Sequence, residues 1–128
     1  MSNVNSSPAL KTFAKNEKTL FNSMLELYDG KEHKKALKNA DIILEKHPDH
    51  PETTAFKALI MNGLKKKAEA YELIKKALFK NMANFTCWHV YGILNRSNKK
   101  FDDARKAYLN ALKSDETNQN VLRDLSLL

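Results

Sequence analysis

Apolar residues recur at three- and four-residue steps along most of the chain, a pattern that predicts amphipathic helices rather than strands. The first run ends at Asp29-Gly30 and contains Leu10, Phe13, Leu20, Phe21, Met24, Leu25 and Tyr28. Ser7-Pro8 predicts its start, because serine caps helices and proline suits the first helical position. We expect a disordered tail at 1–8, where the residues are small and polar, followed by a helical stretch.

The apolar pattern also repeats with a fixed period of 34 residues. Three series keep this step: Ala36, Ala70 and Ala104; Leu44, Leu78 and Leu112; and Met24, Ala58 and Gly92. Such a period is typical of stacked helix-turn-helix units of the tetratricopeptide (TPR) type. We expect the small residues where two helices approach closely and the larger ones between hairpins.

The period divides the chain into three predicted hairpins, at about 17–50, 51–84 and 85–118. The third matches the TPR pattern best, with Trp88, Tyr91 and Gly92 followed by Ala104 and Tyr108. Asn95 stands where the pattern has an aromatic residue. Residues 119–128 predict the first helix of a further, truncated repeat, or alternatively a helix that closes the stack. The predicted fold is all-α, a right-handed TPR-type superhelix of antiparallel helix pairs.

Composition agrees with a helical, intracellular protein. The 128 residues include only 3 glycines and 3 prolines, which favours helices over turn-rich β structure. No apolar run reaches about 18 residues, so we expect no membrane span. Cys87 is the only cysteine, which excludes an internal disulfide and fits a reducing compartment. The N-terminus lacks the pattern of a secretory signal, and we expect a cytoplasmic location.

Charge points to an anionic partner. The formal net charge is +7 and the sequence pI is about 9.5. Lysines recur in the predicted turns between the two helices of each hairpin, at Lys31, Lys65, Lys66, Lys99 and Lys100, and we call these five the lysine ridge. Equivalent turns of a solenoid lie side by side, so the lysine ridge suits a phosphate backbone. The alternative is that these lysines, with Lys34, Lys35 and Lys67 nearby, are merely solvated.

Catalytic chemistry is not indicated. Four histidines have no metal-binding or catalytic spacing around them, and we expect solvated turn residues: His33, His47, His50 and His89. Cys87 lies within a predicted helix and is expected to be a buried structural thiol. Asp102-Asp103 begins a predicted helix, where negative charge favours the helix dipole. We therefore predict no catalytic residue, no cofactor, no metal and no small-molecule substrate.

A second candidate surface is the concave face formed by the first helix of each hairpin. Its predicted members are Phe21, Leu25, Tyr28, Phe56, Leu59, Val90, Ile93 and Arg96. This strip is predicted to hold a partner helix or to be covered by the chain itself. TPR co-chaperones bind acidic tails through lysines, an arginine and asparagines at five positions. Here the corresponding residues are apolar or uncharged, which disfavours that function: Phe21, Leu25, Phe56, Thr86 and Val90.

Three segments are similar to one particular TPR family. Residues 64–78 (LKKKAEAYELIKKAL), 87–97 (CWHVYGILNRS) and 122–128 (LRDLSLL) resemble the N-terminus of the auxiliary subunit of the N-terminal acetyltransferase A (NatA) complex. The resemblance covers most of residues 17–128. It implies a non-catalytic scaffold that supports a GNAT-type catalytic acetyltransferase subunit, mainly through repeats absent here, and docks the complex on the ribosome. The lysine ridge would then face the ribosome or ribosomal RNA.

The alternative function is a generic TPR adaptor that binds a peptide or helix in its concave groove.

Overall fold

The computed structural model describes Leu10 and residues 13–128, in which seven α-helices and no β-strand are found. The helices are α1 (Lys15–Asp29), α2 (His33–Lys46), α3 (Pro51–Gly63), α4 (Lys67–Lys80), α5 (Phe85–Ser97), α6 (Phe101–Leu112) and α7 (Gln119–Ser126). The predicted tail at 1–8 and the predicted helix start at Ser7-Pro8 lie outside the described residues.

The helices pack as three hairpins and one further helix. The pairs α1–α2, α3–α4 and α5–α6 form the hairpins, α3 also packs on α2 and α5, and α7 packs on α6. The fold is an all-α TPR-type solenoid, as the 34-residue period predicts. Each predicted range contains one hairpin, except that α1 begins two residues earlier than its range, at Lys15.

The repeated small residues lie at the helix crossings of the core. Ala36, Ala70 and Ala104 are each fully buried, so the three positions share the same degree of burial. A Cβ atom on Gly92 would clash with the Tyr108 ring of the facing helix. Glycine at this position therefore lets α5 and α6 pack closely around a large aromatic side chain.

Three equivalent turns join the two helices of each hairpin. Lys31, Lys65 and Lys99 adopt the left-handed conformation there, with φ of 62°, 66° and 63°. The next amide donates to the carbonyl five residues earlier at 2.8–2.9 Å in the pairs Glu32–Leu27, Lys66–Met61 and Lys100–Asn95. This is the Schellman ending of a helix, which usually has glycine at the left-handed position.

The opposite turns, which lead into the next hairpin, are held by side-chain caps. Residues at the 34-residue spacing accept a hydrogen bond from the amide three residues later: His50 from Thr53, Asn84 from Cys87 and Asn118 from Val121, at 3.0–3.2 Å. These caps satisfy amides that would otherwise lack partners at the helix starts.

The first helix starts later than the apolar pattern predicts. Ala14 is extended, with φ −66° and ψ 164°, and α1 begins at Lys15. The Glu17 carboxylate accepts the Ala14 amide at 2.9 Å, which fixes this start. Phe13 leaves the helical path because its ring packs against His47 and His50, with centroids 4.9 and 4.5 Å apart. The helical stretch expected from Pro8 is therefore interrupted at Phe13 and Ala14.

Candidate functional site

The residues of the lysine ridge lie in the turns within the hairpins. All five of its residues are exposed. Because adjacent helices lie about 10 Å apart, equivalent turns present their ammonium groups at that order of spacing. The predicted lysines therefore lie on equivalent exposed turns, and a common edge on which an extended anion contacts several of them stays a prediction.

Backbone geometry distinguishes three of these lysines from ordinary surface residues. Lys31, Lys65 and Lys99 are the non-glycine residues with positive φ among the described residues, and no described glycine has positive φ. The left-handed region costs a residue with a Cβ about 1–2 kcal/mol, which glycine avoids. The same unfavourable choice recurs in three successive turns, so backbone geometry does not explain why lysine stands there instead of glycine.

The lysine ridge is stronger in the second and third hairpins than in the first. Lys66 and Lys100 occupy equivalent positions in the second and third hairpins, and the first hairpin has Glu32 there. The Glu32 carboxylate pairs with Lys35 at 3.1 Å. The second and third turns each present two adjacent cations. A polyanion should therefore bind most tightly across these two turns.

Tyr71 connects the second hairpin to the third turn of the lysine ridge. Its hydroxyl lies 3.1 Å from Asn95 Oδ1 and accepts a hydrogen bond from Asn98 Nδ2 at 3.2 Å. The Lys100 ammonium lies 5.1 Å from the centroid of its ring, and Lys75 lies 5.8 Å away. A cation over an aromatic face is held by electrostatic attraction, so Tyr71 fixes where Lys100 sits.

The role of Tyr71 was missing from the sequence interpretation, although Asn95 gave a signal for it. Asn95 replaces the aromatic residue of the TPR pattern and is buried, and its Nδ2 donates to the Tyr91 carbonyl at 3.0 Å. A buried amide needs a hydrogen-bonding partner on a neighbouring element. Tyr71 is that partner, on the helix before.

For part of the predicted concave groove, the structure favours the alternative that the chain itself covers it. Four of its members belong to the core, with exposures of 2–6%: Phe21, Leu25, Leu59 and Val90. They are buried because the neighbouring hairpins pack directly over them. Tyr28, Phe56 and Ile93 are half-buried and Arg96 is exposed, so a partner-binding role for these four stays a prediction.

The histidines expected to be solvated turn residues are half-buried and bonded. His47 Nε2 lies 3.0 Å from Glu17 Oε1, His50 caps α3, and His89 Nε2 lies 2.9 Å from Asp124 Oδ2. Hydrogen bonds from the Ala14 amide and from His47 hold the pKa of Glu17 below its ordinary value. The prediction of solvation was wrong because these histidines hold the junctions between helices.

Cys87 is buried, and burial raises the pKa of its thiol to about 12, so it is not a nucleophile at neutral pH. Among the described residues, no group of three or more His, Cys, Asp or Glu side chains could hold a metal ion. No helix in the described part of the chain is long and apolar enough to cross a membrane.

Comparison with known proteins identifies the family. Residues 17–126 match the family model described as Psidin, N-terminal TPR repeats region. The chain belongs to this family. Its helical hairpins are thus Psidin-type TPR repeats, and the lysine ridge lies on the turns within them.

Relatives of the chain are described as NatA auxiliary subunits. The chain is 49% identical over 114 residues to human "N-alpha-acetyltransferase 16, NatA auxiliary subunit". It is 46% identical over 112 residues to "N-terminal acetyltransferase A complex auxiliary subunit NAA15" of Arabidopsis thaliana. Each match covers 88% of this chain but only 13% and 12% of the relative. These names support the prediction that the chain is not itself an enzyme.

A solved structure agrees with this Psidin-family assignment. The chain superposes with a TM-score of 0.84 and 45% identity on a structure described as Naa15/Naa10 bound to HypK-THB, covering 88% of this chain and 17% of that one. The chain therefore spans less than a fifth of the length of each of these proteins.

Proposed function

We propose that this chain is the N-terminal TPR segment of a non-catalytic scaffold in an N-terminal acetyltransferase complex, and that its lysine ridge docks on ribosomal RNA. The scaffold would support a GNAT-type catalytic subunit, mainly through repeats outside this chain, and would act in the cytoplasm. The similarity to auxiliary subunits supports the scaffold role.

One observation carries the docking proposal: three successive left-handed turns hold lysine where glycine would cost less. A ridge of exposed ammonium groups without a catalytic cluster beside it suits phosphate contacts, which bind without reading sequence. Five such contacts give a slope of roughly −3.5 to −4.5 when the logarithm of the association constant is plotted against the logarithm of salt concentration.

The test uses purified ribosomes and a variant in which Lys65, Lys66, Lys99 and Lys100 are replaced by glutamate. We expect salt-sensitive binding by the unchanged protein and its loss in this variant, measured by co-sedimentation at several salt concentrations. The matched control places the same four charge reversals on exposed lysines outside the lysine ridge: Lys15, Lys38, Lys76 and Lys113.

The control variant has the same net charge as the ridge variant, so it separates local docking from general attraction. Retained binding by the control and lost binding by the ridge variant would support the proposal. Equal losses in both variants, or unchanged binding by the ridge variant, would refute a docking role for the lysine ridge. Circular dichroism checks that both variants remain helical.

A further inference from the structure

Phe101 is an exposed aromatic residue directly beside the lysine ridge. It follows Lys99 and Lys100, begins α6, and is 49% exposed. The same position in the other hairpins holds His33 and Lys67. Repeat packing therefore does not require an aromatic ring at this place.

The contrast with His33 shows that Phe101 is not placed for the core. His33 is half-buried, and its ring meets the Tyr28 ring edge-on with centroids 5.5 Å apart. Phe101 is instead exposed at the equivalent helix start. About half of its surface is available to a ligand.

Neighbouring contacts hold the surroundings of Phe101 in a fixed geometry. The Lys100 amide closes the third turn by bonding to the Asn95 carbonyl at 2.8 Å, while its ammonium lies over the Tyr71 ring. The ring of Phe101 therefore projects from the start of a helix whose preceding turn is tied to two helices. Little ordering is needed before a ligand binds there.

The charges around Phe101 differ on its two sides. Lys99 and Lys100 precede it, whereas Asp102 and Asp103 follow it and are exposed, with Asp102 paired to Arg105 at 3.3 Å. Phosphates are attracted to the lysine side and repelled from the carboxylate side. A nucleic acid lying along the lysine ridge would therefore bring an uncharged base, not a phosphate, over the ring.

We propose that Phe101 stacks on an unpaired nucleobase of an RNA whose backbone lies along the lysine ridge. This inference rests on the proposed function and adds a preference to it. Bases inside a continuous A-form duplex are already stacked and offer no face to the ring, whereas a bulged base does. The site therefore prefers RNA with a bulge or loop over fully paired RNA.

The experiment compares two labelled RNA probes, a blunt 16-base-pair duplex and the same duplex with one bulged adenosine. Fluorescence anisotropy at fixed salt gives the dissociation constant of the 128-residue chain for each probe. We expect the bulged RNA to bind about fivefold more tightly or better, given the usual contribution of one base–aromatic stack. Phe101→Ala should remove this preference and leave duplex binding unchanged.

Two further variants make the result specific. Phe101→Leu keeps an apolar side chain but no aromatic face, and should also lose the preference. Phe79→Ala removes an even more exposed phenylalanine, 85% exposed near the far end of α4, and should keep the preference. Thermal unfolding of each variant shows whether the change has altered the fold.

The outcomes separate this inference from the proposed function. Equal binding of both RNAs by the unchanged protein, or a preference retained in Phe101→Ala or Phe101→Leu, would overturn the stacking role. If the glutamate variant of Lys65, Lys66, Lys99 and Lys100 bound the duplex as well as the unchanged protein, docking by the lysine ridge would fail instead.

Discussion

Replacing the left-handed lysines with glycine should make the protein more stable and weaken RNA binding at the same time. Lys31, Lys65 and Lys99 each have φ between 62° and 66°. Relief of the Cβ clash is worth about 1–2 kcal/mol per site. Glycine also lowers stability by about 0.5–1 kcal/mol, because it has more conformational freedom in the unfolded chain. The net gain, taken from the middle of both ranges, is about 0.5–1 kcal/mol at each turn.

The three sites lie in the turns of separate hairpins, so their effects should add. The triple glycine variant should gain about 1.5–3 kcal/mol, which corresponds to roughly 5–10 °C in melting temperature for a chain of this size. Thermal unfolding followed by circular dichroism at 222 nm measures the shift. Binding to ribosomes, followed by co-sedimentation, should fall in the same variant.

The triple alanine variant is the matched control. It removes the same three charges but keeps the Cβ atom and its clash, so it should lose RNA binding without gaining stability. If the alanine and glycine variants melted at the same temperature, the left-handed geometry would not be a source of strain. If the glycine variant were less stable than the unchanged protein, the reasoning from φ would be wrong.

Three other features predict measurable behaviour. Gly92→Ala should destabilise the fold by about 1–3 kcal/mol because the added Cβ meets the Tyr108 ring. Gly30→Ala should cost less, because its Cβ would lie 3.5 Å from the nearest atom. Urea unfolding of both variants compares the two losses of stability. The pKa of Glu17 is lowered on folding, so its carboxylate adds to the free energy of unfolding. This stabilisation is present above the unfolded pKa of about 4.3 and is lost as pH falls through the folded pKa. Stability measured from pH 7 to 3 should therefore fall less steeply in Glu17→Gln, and equal slopes would contradict this. Cys87, whose thiol pKa is raised to about 12, should resist a thiol-specific reagent at pH 8 until urea unfolds the chain; rapid labelling of the native protein would contradict its burial.

The helical hairpins were predictable because their core repeats in sequence. Ala36, Ala70 and Ala104 recur at a fixed step, and each meets the same packing demand from its neighbours. The start of α1 was not predictable in the same way. The position of Phe13 depends on His47 and His50, which are more than thirty residues away in sequence. A local periodicity cannot predict a contact between residues so far apart.

The residues of the lysine ridge were predictable from the sequence, but their backbone conformation was not. The 34-residue register identifies which lysines share a turn, but it does not reveal that Lys31, Lys65 and Lys99 adopt positive φ. For a similar reason, the sequence left open whether a partner or the chain itself covers the concave groove. A residue such as Leu59 can face the inner side of a helix and still be covered by the next hairpin, and periodicity alone does not measure that cover.

The side-chain caps between hairpins make each repeat a closed building block. His50, Asn84 and Asn118 cap the starts of α3, α5 and α7 by the same hydrogen bond. A copy of residues 51–84 inserted at residue 85 would meet the same cap and the same small residues on both sides. Such a duplication would lengthen the solenoid by one hairpin and add two more lysines to the lysine ridge. Gene duplication can therefore extend this surface without any change in the contacts between hairpins.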